Sequence, residues 1–155
     1  MSLPTRKHPR LKNFDYCQSG CYHVTICTEN RIPLLSRVIP AQTESDHATI
    51  ELTTIGNITE RYIQRIPMVY DGVQLINHAI MPNHVHLLLS LDTTASVDMA
   101  TIVRSLKRMV TKEVGHGIWQ ASFYDVVIRN DIMFQCEWSY IENNPDKWAE
   151  DDLYV

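Results

Sequence analysis

The sequence is poor in several features that would place it in a common class of proteins. Its 155 residues contain no apolar run near the roughly 20 that a membrane-spanning helix needs, and the first residues lack the apolar segment of a secretory signal. Four cysteines are too few for a disulfide framework at this length. We therefore expect a cytoplasmic protein with reduced thiols and no membrane segment.

A basic excess is also missing. The chain carries 14 lysines and arginines against 18 acidic residues, a formal net charge of −4. Nucleic-acid-binding domains are usually basic, so the total charge taken alone counts against a nucleic-acid partner. This objection holds only if the charge is spread evenly.

The chain does have enough apolar residues for one core. At 45% hydrophobic residues, its length fits a single domain that buries much of its surface, and global disorder is excluded. We predict one domain over residues 1–155, with residues 1–18 as a polar, basic N-terminal arm.

Hydrophobic periodicity predicts the order of helices and strands. Period-2 alternation predicts strands at 21–28, 72–81, 84–91 and 123–128, and helical spacing predicts helices through 55–66, 97–114 and 131–143. Residues 36–48 have the composition of a loop, 49–53 that of a short strand, and Pro67 is expected to end the first helix. The β-α-β-β-α-β order followed by a helix is typical of the α+β, ferredoxin-like (split βαβ) fold, an antiparallel sheet with helices packed on it.

The most specific local pattern is His84-Val85-His86, directly after the Pro82-Asn83 turn. Side chains alternate along a strand, so the two histidines face the same side and could share one divalent metal ion. Two half-exposed histidines on a surface strand would give the same pattern. The apolar residues that follow favour a buried strand, where unpaired histidines are costly.

The last predicted helix carries a second group of polar residues. Tyr140 lies about 120° around the helix from the expected core stripe, at 100° per residue. Asn144 is one turn later on the same face and Glu137 lies beside them. A surface tyrosine followed by an asparagine that caps the helix before Pro145 explains the same residues without a function.

Basic residues are unevenly distributed. One group lies on the 97–114 helix and another in the N-terminal arm, and both are candidates for DNA binding: Arg104, Lys107, Arg108 and Lys112, and Arg6, Lys7, Arg10 and Lys12. Arg104, Lys107 and Arg108 oppose the apolar stripe of the helix and should form an exposed basic face. A charged run is often only a solvated surface, but beside a metal site it suggests a phosphate-containing partner.

Four ordered segments give the chain a resemblance to a known family. MPNHVHLLL (81–89) resembles the HUH signature of single-tyrosine HUH transposases, and YIENNPDKW (140–148) their tyrosine motif. RLKNFDY with YHVTICTENR (10–16 and 22–31) resembles the N-terminal strand region of the branch of REP-associated tyrosine transposases. WQASFYDVVIRN (119–130) resembles the segment that enters their last helix. The resemblance spans residues 10–150, in order and at the family's spacing.

This resemblance implies a fold and a reaction. The fold is a ferredoxin-like HUH domain, and the reaction is metal-assisted cleavage and rejoining of single-stranded or hairpin DNA through a 5′-phosphotyrosine. It assigns Mg²⁺ or Mn²⁺ to His84 and His86, the nucleophile to Tyr140 and a further metal ligand to Asn144. It leaves both a monomer and a homodimer open, and the short connection before the last helix favours a site completed within one chain.

Some residues depart from the family, and other functions stay open. Val126 stands where members often have a histidine, and Tyr124 is a rival nucleophile. The chain could instead bind hairpin DNA without cutting it. It could also be a metal-dependent hydrolase that activates water, with Tyr140 structural.

Overall fold

The computed structural model describes residues 20–155, so the predicted basic arm, with Arg6, Lys7, Arg10 and Lys12, lies outside the described residues. The described part of the chain contains six strands: β1 (Cys21–Cys27), β2 (Ser36–Ile39), β3 (Thr49–Leu52), β4 (Val73–Ile80), β5 (His84–Leu91) and β6 (Tyr124–Ile128). The same residues 20–155 include three α-helices: α1 (Thr54–Val69), α2 (Met99–Val114) and α3 (Asp131–Asn143). Short 3₁₀ helices occupy Glu29–Arg31 and Pro145–Glu150.

Four strands form one antiparallel sheet in the order β4-β5-β1-β6. With the β2–β3 hairpin set aside as an insertion before α1, this is the strand order of the ferredoxin-like fold. The predicted α+β fold with an antiparallel sheet and a C-terminal helix is therefore confirmed. Within residues 20–155, no helix has both the length and the apolar character needed to cross a membrane.

The two faces of the sheet are covered by different helices. Val85, Leu87 and Leu89 belong to the core under α1 and α2. The alternate residue Leu88 packs with Phe134 and Trp138 of α3 on the other face. Because side chains alternate along β5, the same alternation places His84 and His86 on the α3 face. Every residue of β5 is buried.

Two details of the predicted secondary structure are wrong. Residues 36–39, predicted as loop, form β2, because this short segment finds a partner in β3 through the register from Ser36↔Leu52 to Ile39↔Thr49. Pro67 does not end α1, which continues to Val69. A proline there removes one N–H from the last turn, and the turn still closes through Tyr70 N–H donating to Ile66 O at 3.1 Å.

The other predicted boundaries agree with the structure to within two residues. β5 and α3 have the predicted ends, and α2 begins two residues later than predicted, after Asp98 accepts a hydrogen bond from Thr101 N–H at 2.9 Å. Gly115 ends α2 with a φ of 100°, the left-handed conformation that glycine adopts without strain.

Candidate active site

Two neighbouring histidines of β5 form the centre of the site. His84 is fully buried and His86 is 3% exposed. Their Nε2 atoms face each other at 3.1 Å. The structure thus brings together the two histidines predicted to share a face, at a separation that one cation can bridge.

The turn residue Asn83 orients His84. The Asn83 amide nitrogen donates to the carbonyl oxygens of Arg31, at 3.2 Å, and Leu153, at 2.6 Å. Its Oδ1 is thereby left to accept from His84 Nδ1 at 2.9 Å. A neutral imidazole carries one proton, so Nε2 of His84 presents a lone pair toward His86.

Two buried oxygen atoms complete the cluster. Asp151, which follows the Pro145–Glu150 3₁₀ helix, places Oδ2 3.7 Å from His84 Nε2. Asn144, at the end of α3, is 3% exposed. Among the described residues, Asp151 Oδ2 and Asn144 Oδ1 are buried without a hydrogen-bond partner. Buried oxygens normally have partners, so these two are available to a cation.

The donor set fits a divalent cation. Ligand atoms of His84, His86 and Asp151 lie within 4.8 Å of one another. Asn144 lines one cavity with His86 and Asp151, and its Oδ1 is a candidate fourth donor. Imidazole nitrogens combined with carboxylate and amide oxygens suit ions such as Mn²⁺. Metal binding by Asn144 stays a prediction, and Asp151 is an additional candidate ligand that the sequence pattern did not indicate.

Burial keeps both histidines in the form that binds metal. It lowers the pKa of His84 to about 4, and the Asp151 carboxylate acts in the opposite direction. Burial, followed by the charges of His84 and His23, lowers the pKa of His86 well below its ordinary value. Both imidazoles are therefore neutral near pH 7, with lone pairs free for a cation.

Tyr140 lies beside this cluster on the exposed flank of α3. The buried residues of the helix include Phe134, Trp138 and Ile141, as predicted, while Tyr140 is 49% exposed. Its ring centroid is 5.3 Å from that of His86. Burial of its hydroxyl and the Asp151 charge raise the pKa of Tyr140, and a hydrogen bond from Asn144 acts against them. Tyr140 thus needs positive charge nearby to lose its proton at neutral pH.

An open cavity of about 490 Å³ joins these residues to solvent. Its lining includes His86, Tyr140, Asn144 and Asp151, and also Tyr124, the rival nucleophile from β6. Acidic residues and one lysine from the C-terminal segment form part of the rim: Lys147, Glu150 and Asp152. His86 and Tyr140 can therefore be reached from solvent through one cavity.

The predicted basic face lies elsewhere. Apolar residues of α2 pack on the sheet face opposite His84 and His86, so the prediction of a basic face beside the metal site is wrong. Arg104 and Arg108 are exposed as expected, and Lys112 is exposed as well. Lys107 is half-buried, and its Nζ donates to the carbonyl oxygens of Gln120 and Ser122 at 2.8 Å each. Its predicted exposure is wrong because the chain that leads into β6 covers it.

Sequence reasoning missed three residues of the site. His23 and Thr25 lie on the same face of β1, and Thr25 pairs with His86 of β5. The position of His23 near His86 was therefore predictable once β1 and β5 were paired. Asn83 was interpreted only as a turn residue. No local signal marks Asp151, because its position depends on how the C-terminal segment packs against β5.

Comparisons with known proteins agree with this architecture. No family model matches the chain. An uncharacterised protein of Haemophilus influenzae is 30% identical over 175 aligned positions, which cover 97% of this chain and 93% of that protein.

Solved structures share the fold. The structure of a REP-associated tyrosine transposase bound to a REP hairpin has a TM-score of 0.64 at 21% identity, over 92% of this chain and 74% of that one. A candidate transposase from Deinococcus radiodurans R1 has a TM-score of 0.53 at 18% identity, over 88% and 97%. The chain therefore belongs to the same family as the Haemophilus influenzae protein, and it has the fold of the REP-associated tyrosine transposase, as its motifs predicted.

Proposed function

We propose that this protein is a metal-dependent transposase that cleaves and rejoins single-stranded DNA, with palindromic hairpins as its substrates. The observation that carries the proposal is the position of the Tyr140 ring, 5.3 Å from the ring of His86, at the edge of a buried cluster of nitrogen and oxygen donors. The neighbour bound to a REP hairpin supports hairpin DNA as the substrate class.

His84, His86, Asp151 and Asn144 are the residues that would hold Mg²⁺ or Mn²⁺. When bound there, the cation would polarise a phosphodiester and hold it for in-line attack. The Asp151 carboxylate and the acidic rim repel a phosphodiester, whereas Lys147 attracts it from the cavity edge. Cleavage should therefore depend strongly on the divalent ion.

Tyr140 is the proposed nucleophile. Its phenolic oxygen forms a bond to phosphorus while the bond from phosphorus to the 3′ oxygen breaks. The phenol loses its proton and the departing oxygen takes one up, which leaves a 5′-phosphotyrosine and a free 3′-hydroxyl. The covalent link retains the energy of the phosphodiester, so a second 3′-hydroxyl can reverse the step and join strands. Because Tyr140 and His86 of one chain line one cavity, we propose that the tyrosine acts within its own chain.

Formation of a covalent adduct tests this function. The purified protein is incubated with Mn²⁺ and labelled single-stranded hairpin DNA, then separated on a denaturing protein gel. We expect a labelled protein band that disappears in Tyr140→Phe and in His84→Ala. Tyr124→Phe is the matched control, because it removes the other tyrosine hydroxyl of the same cavity and should leave the band.

The other outcomes assign the chain to a different class. Cutting that persists in Tyr140→Phe without an adduct would indicate a hydrolase that uses activated water. A retarded native complex without any cleavage would indicate a hairpin-binding protein. Loss of the adduct in Tyr124→Phe alone would move the nucleophile to β6.

A further inference from the structure

His23 and Glu137 form a polar pair on the Nδ1 side of the His86 ring, whereas His84 lies on its Nε2 side. His23 Nδ1 lies 2.5 Å from Glu137 Oε2, and His23 Nε2 lies 3.0 Å from His86 Nδ1. The side chains of His23 and Glu137 are 8% and 21% exposed. A continuous line of contacts thus runs from α3, through β1, to the candidate metal ligand on β5.

The direction of the hydrogen bonds in this line follows from their chemistry. The carboxylate oxygen of Glu137 accepts, so His23 Nδ1 carries the proton. A neutral His23 then has its lone pair on Nε2, and His86 Nδ1–H donates to it. The Thr25 hydroxyl, 3.2 Å from the same His86 nitrogen, is compatible with this direction because its oxygen can also accept.

The consequence appears at the other side of the His86 ring. With its proton on Nδ1, His86 presents a lone pair at Nε2, where it meets the Nε2 lone pair of His84 at 3.1 Å. Two lone pairs at this distance repel each other. A cation between them converts the repulsion into two bonds, so the protein holds both rings in a geometry that favours metal.

We propose that Glu137 and His23 are positioning residues that fix His86 for metal binding through Nε2. The proposal rests on the proposed function, since the ion concerned is the one that assists DNA cleavage. The pair also joins two elements, because Glu137 precedes Tyr140 by three residues on α3 and so lies on the same side of the helix. The contact with His23 therefore holds the helix of the nucleophile against β1, the strand that pairs with β5.

Nitrogen-15 NMR of the histidine rings tests the tautomer directly in the metal-free protein. We expect His86 to be protonated at Nδ1 and unprotonated at Nε2, and Glu137→Ala to convert it to a mixture of tautomers. Glu137→Gln should keep part of the preference, because an amide oxygen still accepts from His23. A His86 protonated at Nε2 in the unmodified protein would overturn the proposal, whichever variants fold.

Mn²⁺ affinity, measured by electron paramagnetic resonance without DNA, gives a second readout. Loss of a residue that orients a metal-binding histidine typically weakens binding about 10–100-fold, and we expect a rise in Kd of that size in Glu137→Ala. Glu142→Ala is the matched control, because it removes a carboxylate from the same helix that contacts Asn77 instead. It should bind Mn²⁺ as the unmodified protein does.

The two proposals fail in different ways. A protein that binds Mn²⁺ with the expected His86 tautomer but forms no adduct with DNA contradicts the proposed function alone. An unchanged tautomer and an unchanged Mn²⁺ affinity in Glu137→Ala contradict the positioning pair alone.

Discussion

Asp151 is the charged member of the candidate ligand set. Without its carboxylate, a cation would meet only neutral donors, the two imidazoles and the amide of Asn144. The two Asp151 oxygens have separate roles. Oδ1 accepts a hydrogen bond from Leu153 N–H at 2.8 Å and orders the chain end, whereas Oδ2 faces His84 Nε2 at 3.7 Å. The charge of a hard oxygen ligand matters most for ions such as Mg²⁺ and Mn²⁺.

Replacing this carboxylate by an amide should therefore weaken metal binding without unfolding the chain. We expect Asp151→Asn to raise the Mn²⁺ Kd at least roughly tenfold, the lower end of the range for residues that support a metal site. Titration calorimetry measures the change. Asp152→Asn removes the same charge one residue later and should have a much smaller effect; equal effects in the two variants would show that only the general charge of the cavity matters.

Among the described glycines, Gly56 in the first turn of α1 has the least room for a side chain. It lies so close to Leu35, the residue before β2, that a Cβ would fall 1.9 Å from the Leu35 carbonyl oxygen. That oxygen accepts from Thr53 N–H at 3.0 Å, and Thr53 in turn caps α1. The carbonyl therefore has little freedom to move away.

We expect Gly56→Ala to lower the free energy of unfolding by about 3 kcal/mol, the upper end for overpacking. Gly117→Ala makes the same chemical change where a Cβ meets open space, and it should change stability by less than about 0.5 kcal/mol. Urea unfolding at pH 7 compares them. A Gly56 variant as stable as the Gly117 variant would contradict the close approach.

A contact between β4 and α1 should make the stability of the fold depend on pH. His78 Nε2 on β4 lies 2.6 Å from Glu60 Oε2 on α1, and this hydrogen bond lowers the pKa of Glu60, against the opposing effect of burial. A carboxyl with a lowered pKa in the folded state adds stability above its unfolded pKa, near 4.5, and loses it as the pH falls through the folded value.

Glu60→Gln should therefore lose less stability than the unmodified protein between pH 5 and pH 3. The difference should be about 0.5–1 kcal/mol, as for a partly exposed ion pair. Urea midpoints at the two pH values measure it, with the exposed loop variant Glu44→Gln as a control for the loss of one charge. Parallel acid curves for Glu60→Gln and the unmodified protein would exclude the contribution.

Elements with strong local signals were predictable, and contacts between distant residues were not. β5 and α3 were predicted to the residue because each has a clear period and one clear boundary: the Pro-Asn turn before β5 and Pro145 after α3. β2 was missed because four residues carry too little periodicity until a partner strand is known. The predicted pair His84 and His86 needed only strand alternation, whereas His23 and Glu137 are 114 residues apart and meet only through packing.

At the scale of the whole molecule, the sheet separates two surfaces. The histidines and Tyr140 lie on the α3 face, and the exposed Arg104, Arg108 and Lys112 lie on α2, across the sheet. A net charge of −4 is therefore compatible with a local basic surface. If hairpin DNA contacts both surfaces, substitutions on α2 should change DNA binding without changing the histidine cluster.

Neutralising the α2 surface tests this arrangement. We expect Arg104→Gln combined with Arg108→Gln to reduce the slope of log Kd for hairpin DNA against log salt concentration by roughly one per lost phosphate contact. Mn²⁺ affinity should not change, because neither arginine is near the histidines. Fluorescence anisotropy across a salt series measures the slope, with Arg37→Gln on β2 as a control; an unchanged slope would remove α2 from the DNA-binding surface.

The candidate ligands come from β5, from the end of α3 and from the C-terminal segment, so they meet only when the chain has folded. An ion that binds the native state alone raises the free energy of unfolding by mass action, by about 2.7 kcal/mol at 100 times its Kd. For a domain of this size, that is a substantial part of the total stability. The concentration of free divalent cation would then set the resistance of the protein to proteolysis, as well as the rate of the proposed DNA cleavage.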